Sequence, residues 1–266
     1  MVCERVRLLS FSPTGTTRRI LTAIGEGIGL SVEPVVDLTL SDGVGSLPAF
    51  GEKTLAVIGT PVYAGRVPET ALARLDGLHG EGAAAVLVVV YGNRAFEDAL
   101  LELATVVATK GFVPMAAGAF IGEHSFSRPE TPIAVGRPDA TDLGRARAFG
   151  RDIGERLAAM AAGTTFSAPV IPGKVPYRAR APRAVIPPVS RNDICLLCGQ
   201  CAAVCPVGAI RVGETVETDA AACIQCCACV RACPNAARML EDPRVQAIAG
   251  RLATNCAARR EPELFW

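Results

Sequence analysis

The sequence has almost no net charge: 27 Lys and Arg stand against 26 Asp and Glu over 266 residues, giving +1 at pH 7. So balanced a composition gives no general attraction to nucleic acid or to an anionic membrane. Long apolar runs are missing too. The longest, Ala83 to Tyr91, is far short of a membrane span and reads as a buried strand. The opening MVCERVRLLSFSPTG lacks the apolar stretch and cleavage site of a secretory leader, so a cytoplasmic protein is expected. Cysteine is nearly absent from the long first part, which holds only Cys3, yet ten of the eleven cysteines follow residue 194. In a reducing compartment such crowding points to metal or redox chemistry rather than disulfides. Lysine is scarce as well, at three against 24 arginines, which reads as composition bias without functional meaning.

What is present begins with alternating strand and helix signals. RVRLLSF, VEPVVDL, TLAVIGT, AAAVLVVVY and PMAAGAFIG read as five strands. Between and after them, TTRRILTAIGEGIG is helical until its glycines, and PETALARLDGL starts on Pro68, where a missing N–H costs little. AFEDALLELATVVATKG is amphipathic and stops at Gly111. The last helix, from DATDLGRARAFG onward, has Asp139 or Thr141 as its cap. Residues 1–165 are therefore expected to form an α/β fold, a doubly wound five-stranded parallel sheet.

Residues 166–191 have a different texture. Six prolines fall between Pro169 and Pro188 and favour extended chain. Lys174, Arg178, Arg180, Arg183 and Arg191 occur there with no acidic residue. This is either a linker with solvated charges or a basic strap lying against an acidic surface. A small cysteine domain is expected over 192–240, and a helix and tail over 241–266 with Pro243 near the helix start. The terminal Leu264-Phe265-Trp266 would be an exposed patch unless docked.

The cysteine domain contains an internal repeat. DICLLCGQCAAVCPVGAIRV and AACIQCCACVRACPNAARML align cysteine for cysteine at a 28-residue offset, each reading C-x2-C-x2-C-x3-C-P. Such runs suit two cubane clusters in which the fourth cysteine of each run ligates the other cluster. One cluster would take Cys195, Cys198, Cys201 and Cys233, the other Cys223, Cys226, Cys229 and Cys205. Zinc usually takes two separated C-x2-C pairs, and a disulfide knot needs an oxidising compartment. Cys227 falls where the spacing needs no ligand and reads as a small buried filler, as do Cys3 and Cys256.

The first strand runs into SFSPTGTTRRI, a turn with Ser12, Thr14, Thr16 and Thr17 as hydroxyl donors and Gly15 permitting close approach. Free N–H groups and the positive end of the following helix make this a phosphate site, or else simply a capped helix start. The Walker pattern and G-x-G-x-x-G are both missing after this strand, which argues against nucleoside triphosphates and dinucleotides. Two further strand-end loops fall at the same edge. One brings Pro61, Val62, Tyr63, Ala64 and Gly65 and the other Tyr91, Gly92, Asn93 and Arg94, and Tyr63 or Tyr91 would flank a planar ring. GEHSFS, after the fifth strand, adds His124 and Ser125. His124 would bond a ligand, relay a proton, or only orient its own loop. Arg66 and Arg94 would stabilise an anionic ring or bind a carboxylate, and His79 is expected at the opposite edge on the surface.

SFSPTGTT resembles the T-x-T-G-x-T phosphate loop of flavodoxins, with Pro13 a departure that removes no side-chain donor. The cysteine repeat resembles bacterial-type two-cluster ferredoxins, whose clusters are [4Fe–4S]. TPVYAGRVP, VYGNRAFEDALLEL and GAFIGEHSFS, in this order before two cluster motifs, resemble the flavodoxin–ferredoxin fusion family of anaerobic bacteria over nearly the whole chain. That resemblance implies noncovalent FMN with its phosphate on the first loop, two [4Fe–4S] clusters, and a small α+β ferredoxin domain. It implies an electron carrier working with redox partner proteins of unknown identity, coupling one- and two-electron steps. An FMN-dependent reductase of a small organic acceptor and a redox or oxygen sensor are the alternatives, and a homodimer is left open. No catalytic nucleophile is identified.

Overall fold

The computed structural model describes residues 3–40, 50–180 and 186–266. Strands β1 (Arg5–Ser10), β4 (Thr54–Pro61), β5 (Ala84–Tyr91) and β6 (Val113–Ile121) run parallel. The expected second strand is two short pieces, β2 (Ser31–Val32) and β3 (Val36–Asp37), both paired with β1. Pro34 lies between them, and a residue without an N–H cannot continue the ladder. Counting β2 and β3 as one position, the strands follow the order 2-1-3-4-5 of flavodoxin-like double winding.

The continuous apolar run of β5 is buried on both faces, as a central parallel strand requires. Leu87, Val89 and Tyr91 face a core shared with α2 (Glu69–Leu75) and α3 (Ala99–Thr109). Val86, Val88 and Val90 face the core beneath α1 (Thr16–Ile28) and α4 (Ala140–Ala161). α1 does not stop at its first glycines. Gly27 and Gly150 sit where the two helices cross so closely that a Cβ would come within 2.1 Å of the Arg147 carbonyl oxygen and 2.2 Å of that of Ile24. Asp139 caps α4: it accepts from the Asp142 N–H while Asp142 accepts from its own.

α3 starts at Ala99 rather than Ala95, because the residues before it are used otherwise. Glu97 takes a left-handed backbone (φ 47°), and Asp98 accepts from the N–H groups of Lys174 and Arg178 at 2.9 and 2.7 Å. The basic linker is thus a strap on the sheet's own helix layer. Arg178 pairs with Glu97 at 2.7 Å and Arg180 with Glu102 at 3.0 Å. Arg183 and Pro182 lie outside the described residues. Glu102 is buried and also accepts from Arg66 Nε at 2.8 Å, Arg66 Nη2 at 2.6 Å and the Val67 N–H at 2.9 Å.

The cysteine region keeps its repeat in three dimensions. α5 (Gln200–Ala203) and α6 (Ala228–Arg231) are equivalent single turns. β8 (Ile210–Val212) pairs antiparallel with β9 (Val216–Thr218), and β10 (Arg238–Met239) with β7 (Val189–Ser190). α7 (Pro243–Asn255) follows, capped by Asp242. The tail then returns to the sheet. β11 (Glu263–Phe265) pairs antiparallel with β6, Leu264 opposite Gly118, so the expected all-parallel sheet gains a sixth position. Three residues are too few to show a strand period in sequence. Asn93 fixes the approach by donating to the carbonyls of Cys256 at 2.5 Å and Ala258 at 2.9 Å.

Glu102→Ala leaves the Arg66 guanidinium part-buried without its partner and frees one anchor of the strap. Urea unfolding is expected to show a loss of about 3–5 kcal/mol, with Glu102→Gln less damaging. A change below about 1 kcal/mol would show that this carboxylate carries little of the fold.

Candidate functional site

Four strand-end loops converge at the carboxyl edge of the sheet around a cavity of about 460 Å3. The β1–α1 loop supplies Ser12, Pro13, Thr14, Thr16 and Thr17 to its wall. Gly15 turns that loop in the left-handed region (φ 81°) with open space around it, and α1 begins without a side-chain cap. Ser12 Oγ accepts from the Arg18 N–H at 3.1 Å, and Ser12 N–H donates to Thr39 Oγ1 at 2.8 Å, so the turn is held from both sides. Thr17 Oγ1 is buried with no partner within the described residues. A buried hydroxyl without a hydrogen bond is unfavourable. This one stands in a cavity wall beside a helix start whose N-cap, Gly15, has no side chain, a setting in which a phosphate oxygen would supply the bond.

Pro61, Val62, Tyr63, Ala64 and Gly65 line the opposite wall, and Gly92, Arg94, His124 and Ser125 complete it. Two expected contributors are turned elsewhere. Asn93 spends its amide on the C-terminal tail and is not on the wall. Tyr91 borders the cavity, but its ring belongs to the α2–α3 core, 5.7 Å from that of Phe96. The alternation of β5 dictates this, because Tyr91 follows Leu87 and Val89 on the same face. Tyr63 thus remains as the aromatic of these two loops that can flank a planar ligand, and Phe126 also lines the cavity. Arg66 is committed to Glu102, whereas Arg94 lines the cavity and pairs with Glu97 at 2.7 Å.

The cavity has a roof that the sequence reading did not foresee. Arg178 of the strap, Ile224 and Gln225 of the second cysteine run, and Ile248 and Leu252 of α7 close it. Ile224 packs on the sheet's core, and Gln225 Nε2 donates to the Ile186 carbonyl at 2.8 Å. Further contacts hold this docking: Arg74 donates to the Pro206 carbonyl at 3.2 Å, Arg231 pairs with Glu123 at 2.9 Å, and Arg128 bonds the Leu240 carbonyl. Burial, and then the nearby Cys226 and Cys227, push the Tyr63 phenol well above its ordinary value. The cavity's aromatic wall therefore lies next to the second cysteine run.

Nine cysteines line two small cavities, eight of them at the repeated positions. Cys195, Cys198 and Cys201 share one with Cys233, and Cys223, Cys226 and Cys229 share the other with Cys205. No three His, Cys, Asp or Glu side chains among the described residues stand as a single-ion site. The fourth cysteines are held alike in the two halves: Ala209 N–H donates to Cys205 Sγ at 3.3 Å and Ala237 N–H to Cys233 Sγ at 3.1 Å. Burial pushes Cys226 up to about 12, so it becomes a thiolate only against a cation. Cys227 is buried, raised likewise, and caps α6 in a left-handed conformation (φ 60°). Cys227 also lines the second of these cavities, and its thiol lies 3.7 Å from the Gln225 carbonyl oxygen.

Arg238 breaks the symmetry. It is 2 % exposed and borders the first cysteine cavity, and its Nη2 lies 3.9 Å from Cys229 Sγ of the second set. Ser190 and Thr218 hydroxyls hold it at 3.0 and 2.8 Å, while its Nε has no partner within the described residues. Burial raises Cys201 and Cys229, and this guanidinium offsets part of the rise at both. In the first half of the repeat the same position is Ile210, so the alignment alone could have flagged it.

His124 is lowered to about 4, by burial first and Arg94 second. Its Nδ1 accepts from the Phe126 N–H at 3.0 Å, which leaves the proton on Nε2. The unfolded chain takes up this proton near the ordinary value and the folded chain only near 4. Stability should thus fall by about 2–3 kcal/mol as pH drops through that window and be whole above it. His124→Gln should flatten this limb of a pH-dependent urea series, and an unchanged limb would place the titration elsewhere.

Residues 187–239 match a family model described as a 4Fe-4S dicluster domain. No curated protein sequence matches the chain. Among solved structures, a flavodoxin from the domain Archaea is similar at 17% identity, covering 58% of this chain and 99% of its own, with a TM-score of 0.38. The flavodiiron core Flv1 of Synechocystis sp. PCC6803 is similar at 17% identity over 59% of this chain and 36% of its own, at 0.42. A flavodoxin of Streptococcus pneumonia TIGR4 is similar at 18% identity over 57% and 97%, at 0.38. The fold itself rests on the strand order and pairing described above. The chain thus joins a region that matches a 4Fe-4S dicluster domain to a doubly wound sheet of strand order 2-1-3-4-5.

Proposed function

We propose that the chain is an electron-transfer protein that holds FMN noncovalently at the sheet edge and two [4Fe–4S] clusters in its cysteine region. The observation that carries this reading is a shared wall. The loop between Cys223 and Cys226 lines the strand-end cavity with Ile224 and Gln225, while its cysteines line a small recess behind. When bound, the clusters supply single-electron exchange and the flavin supplies one- or two-electron exchange. Thiolates suit soft iron, and the crossed ligand sets are Cys195, Cys198, Cys201 and Cys233, and Cys223, Cys226, Cys229 and Cys205.

The chain's own residues divide the remaining work. Ser12, Thr14, Thr16 and Thr17 offer hydroxyls, and the first turn of α1 offers N–H groups, to a phosphate. Tyr63 presents the flanking ring, and Gly92 leaves room beside His124, whose Cδ2 a Cβ at position 92 would meet at 2.3 Å. With Nδ1 engaged and the ring neutral, His124 holds its proton on Nε2 as a donor, a role that suits binding better than proton relay. Ile224, Ile248 and Leu252 keep bulk water and large partners off the cavity. Redox proteins are the expected partners, and exchange with them needs no substrate pocket.

One observation favours a reductase as the second reading. A cavity of about 930 Å3 adjoins the first and shares Glu123, Ser125 and Phe126 with it, a volume within the range of small-molecule sites. An anaerobic screen of small electrophiles separates the two: saturable turnover with one compound class supports the reductase, and exchange with redox proteins alone supports the carrier.

Anaerobically purified protein is expected to contain about eight irons and one FMN per chain. Cys226→Ser should lose iron and Cys227→Ser should not, and iron loss in the latter would overturn the ligand sets. Arg238→Leu removes a buried positive charge that favours the more reduced, more negative state of either cluster. Spectroelectrochemical titration should then read both midpoints lower by about 50–100 mV at unchanged iron content.

A further inference from the structure

The two cysteine runs are twins in sequence, but their leading loops have opposite surroundings. Leu196 and Leu197 stand between the first two cysteines of the first run, and Ile224 and Gln225 hold the same places in the second. The backbone agrees as well, for Leu197 and Gln225 are both left-handed, at φ 50° and 55°. Ile224 and Gln225 face the strand-end cavity, and Ile224 packs on the core of the sheet. Leu196 and Leu197 are 67% and 42% exposed, and Cys198 is exposed where its twin Cys226 is buried. No charged residue occurs from Ile194 to Ile210.

We propose that the Leu196–Leu197 loop is the docking surface for a separate flavodoxin-like electron carrier, which receives it at the rim of its own strand-end loops. The proposal rests on the reading of this chain as a flavin and iron–sulfur protein. The fit is demonstrated within the molecule: a loop of the same spacing and backbone conformation already seats against the strand-end rim of a doubly wound sheet. A second copy of this chain cannot offer that rim, because Ile224, Gln225, Ile248 and Leu252 cover it. The occupant is therefore a different protein with the rim open. Two leucines around an exposed ligand cysteine make a small, uncharged contact, suited to brief association that depends little on salt.

Anaerobic binding titrations of the cofactor-loaded chain against a small bacterial FMN flavodoxin, at low and high salt, read this directly. Leu196→Glu should weaken the dissociation constant by at least about tenfold. Adding Leu197→Gln, which installs the residue the second run carries at that backbone conformation, should weaken it further. Both variants should keep wild-type iron and flavin content. Raising salt from about 0.05 to about 0.5 M should change the wild-type affinity by less than about threefold. Equal affinities of wild type and variants overturn the proposal, as does tighter binding of a two-cluster ferredoxin than of the flavodoxin. Failure of the underlying cofactor reading would appear separately, as missing iron or FMN in the purified chain before any titration.

Discussion

One buried carboxylate decides where the second half of the chain can go. Glu102 accepts from Arg66, from the Val67 N–H and from Arg180, so it joins the β4–α2 loop, helix α3 and the strap at one point. A charged group so nearly removed from water is tolerable only when its oxygens are saturated. The strap completes that saturation, and Asp98 adds two more bonds to its backbone. Fixed along α3, the linker delivers the cysteine region to the carboxyl edge of the sheet rather than to any other face. The roof over the strand-end cavity follows from this placement.

Within the cysteine region, duplication sets the geometry and departures from it distinguish the two halves. Of the repeated cysteines, each half supplies three to its own recess and one to the other, with matching N–H bonds to the outlying sulfur, and Cys227 joins the second recess. Three of the many departures stand out: Leu196 and Leu197 against Ile224 and Gln225, Gly199 against Cys227, and Ile210 against Arg238. The first turns one loop outward and one inward. The second fills the buried side with a thiol under the α6 turn, at a backbone conformation that glycine adopts in the other half (φ 77°). The third places a cation that borders the first recess and lies 3.9 Å from Cys229 Sγ of the second.

Much of this was legible before any coordinates. The eight-cysteine spacing is a strong pattern because it repeats position for position, and the period of the apolar runs encodes the sheet. The candidate phosphate loop stands out because hydroxyls, a glycine and a helix start coincide in SFSPTGTT. The losses have physical causes. A single proline cut the second strand in two. Tyr91 sits on the core face because strand alternation, not proximity to a loop, orients a side chain. Asn93 went to the tail, and a polar side chain in a short loop gives no hint of a partner over 160 positions away. The roof was hidden for the same reason, since Ile248 and Leu252 look like any apolar stripe on α7.

The returning tail has a consequence for motion. β11 pairs with β6, Asn93 grips the backbone at Cys256 and Ala258, and Arg137 holds the Arg260 carbonyl at 2.7 Å. The cysteine region is therefore moored to the sheet at both of its ends, by the strap before it and the tail after it. A module on one tether sweeps a volume and finds its neighbour by diffusion, whereas one moored twice stays at a high effective concentration beside it. The spacing between the recess of Cys226 and the cavity of Tyr63 is then a built-in dimension of the molecule, independent of any search by a swinging arm.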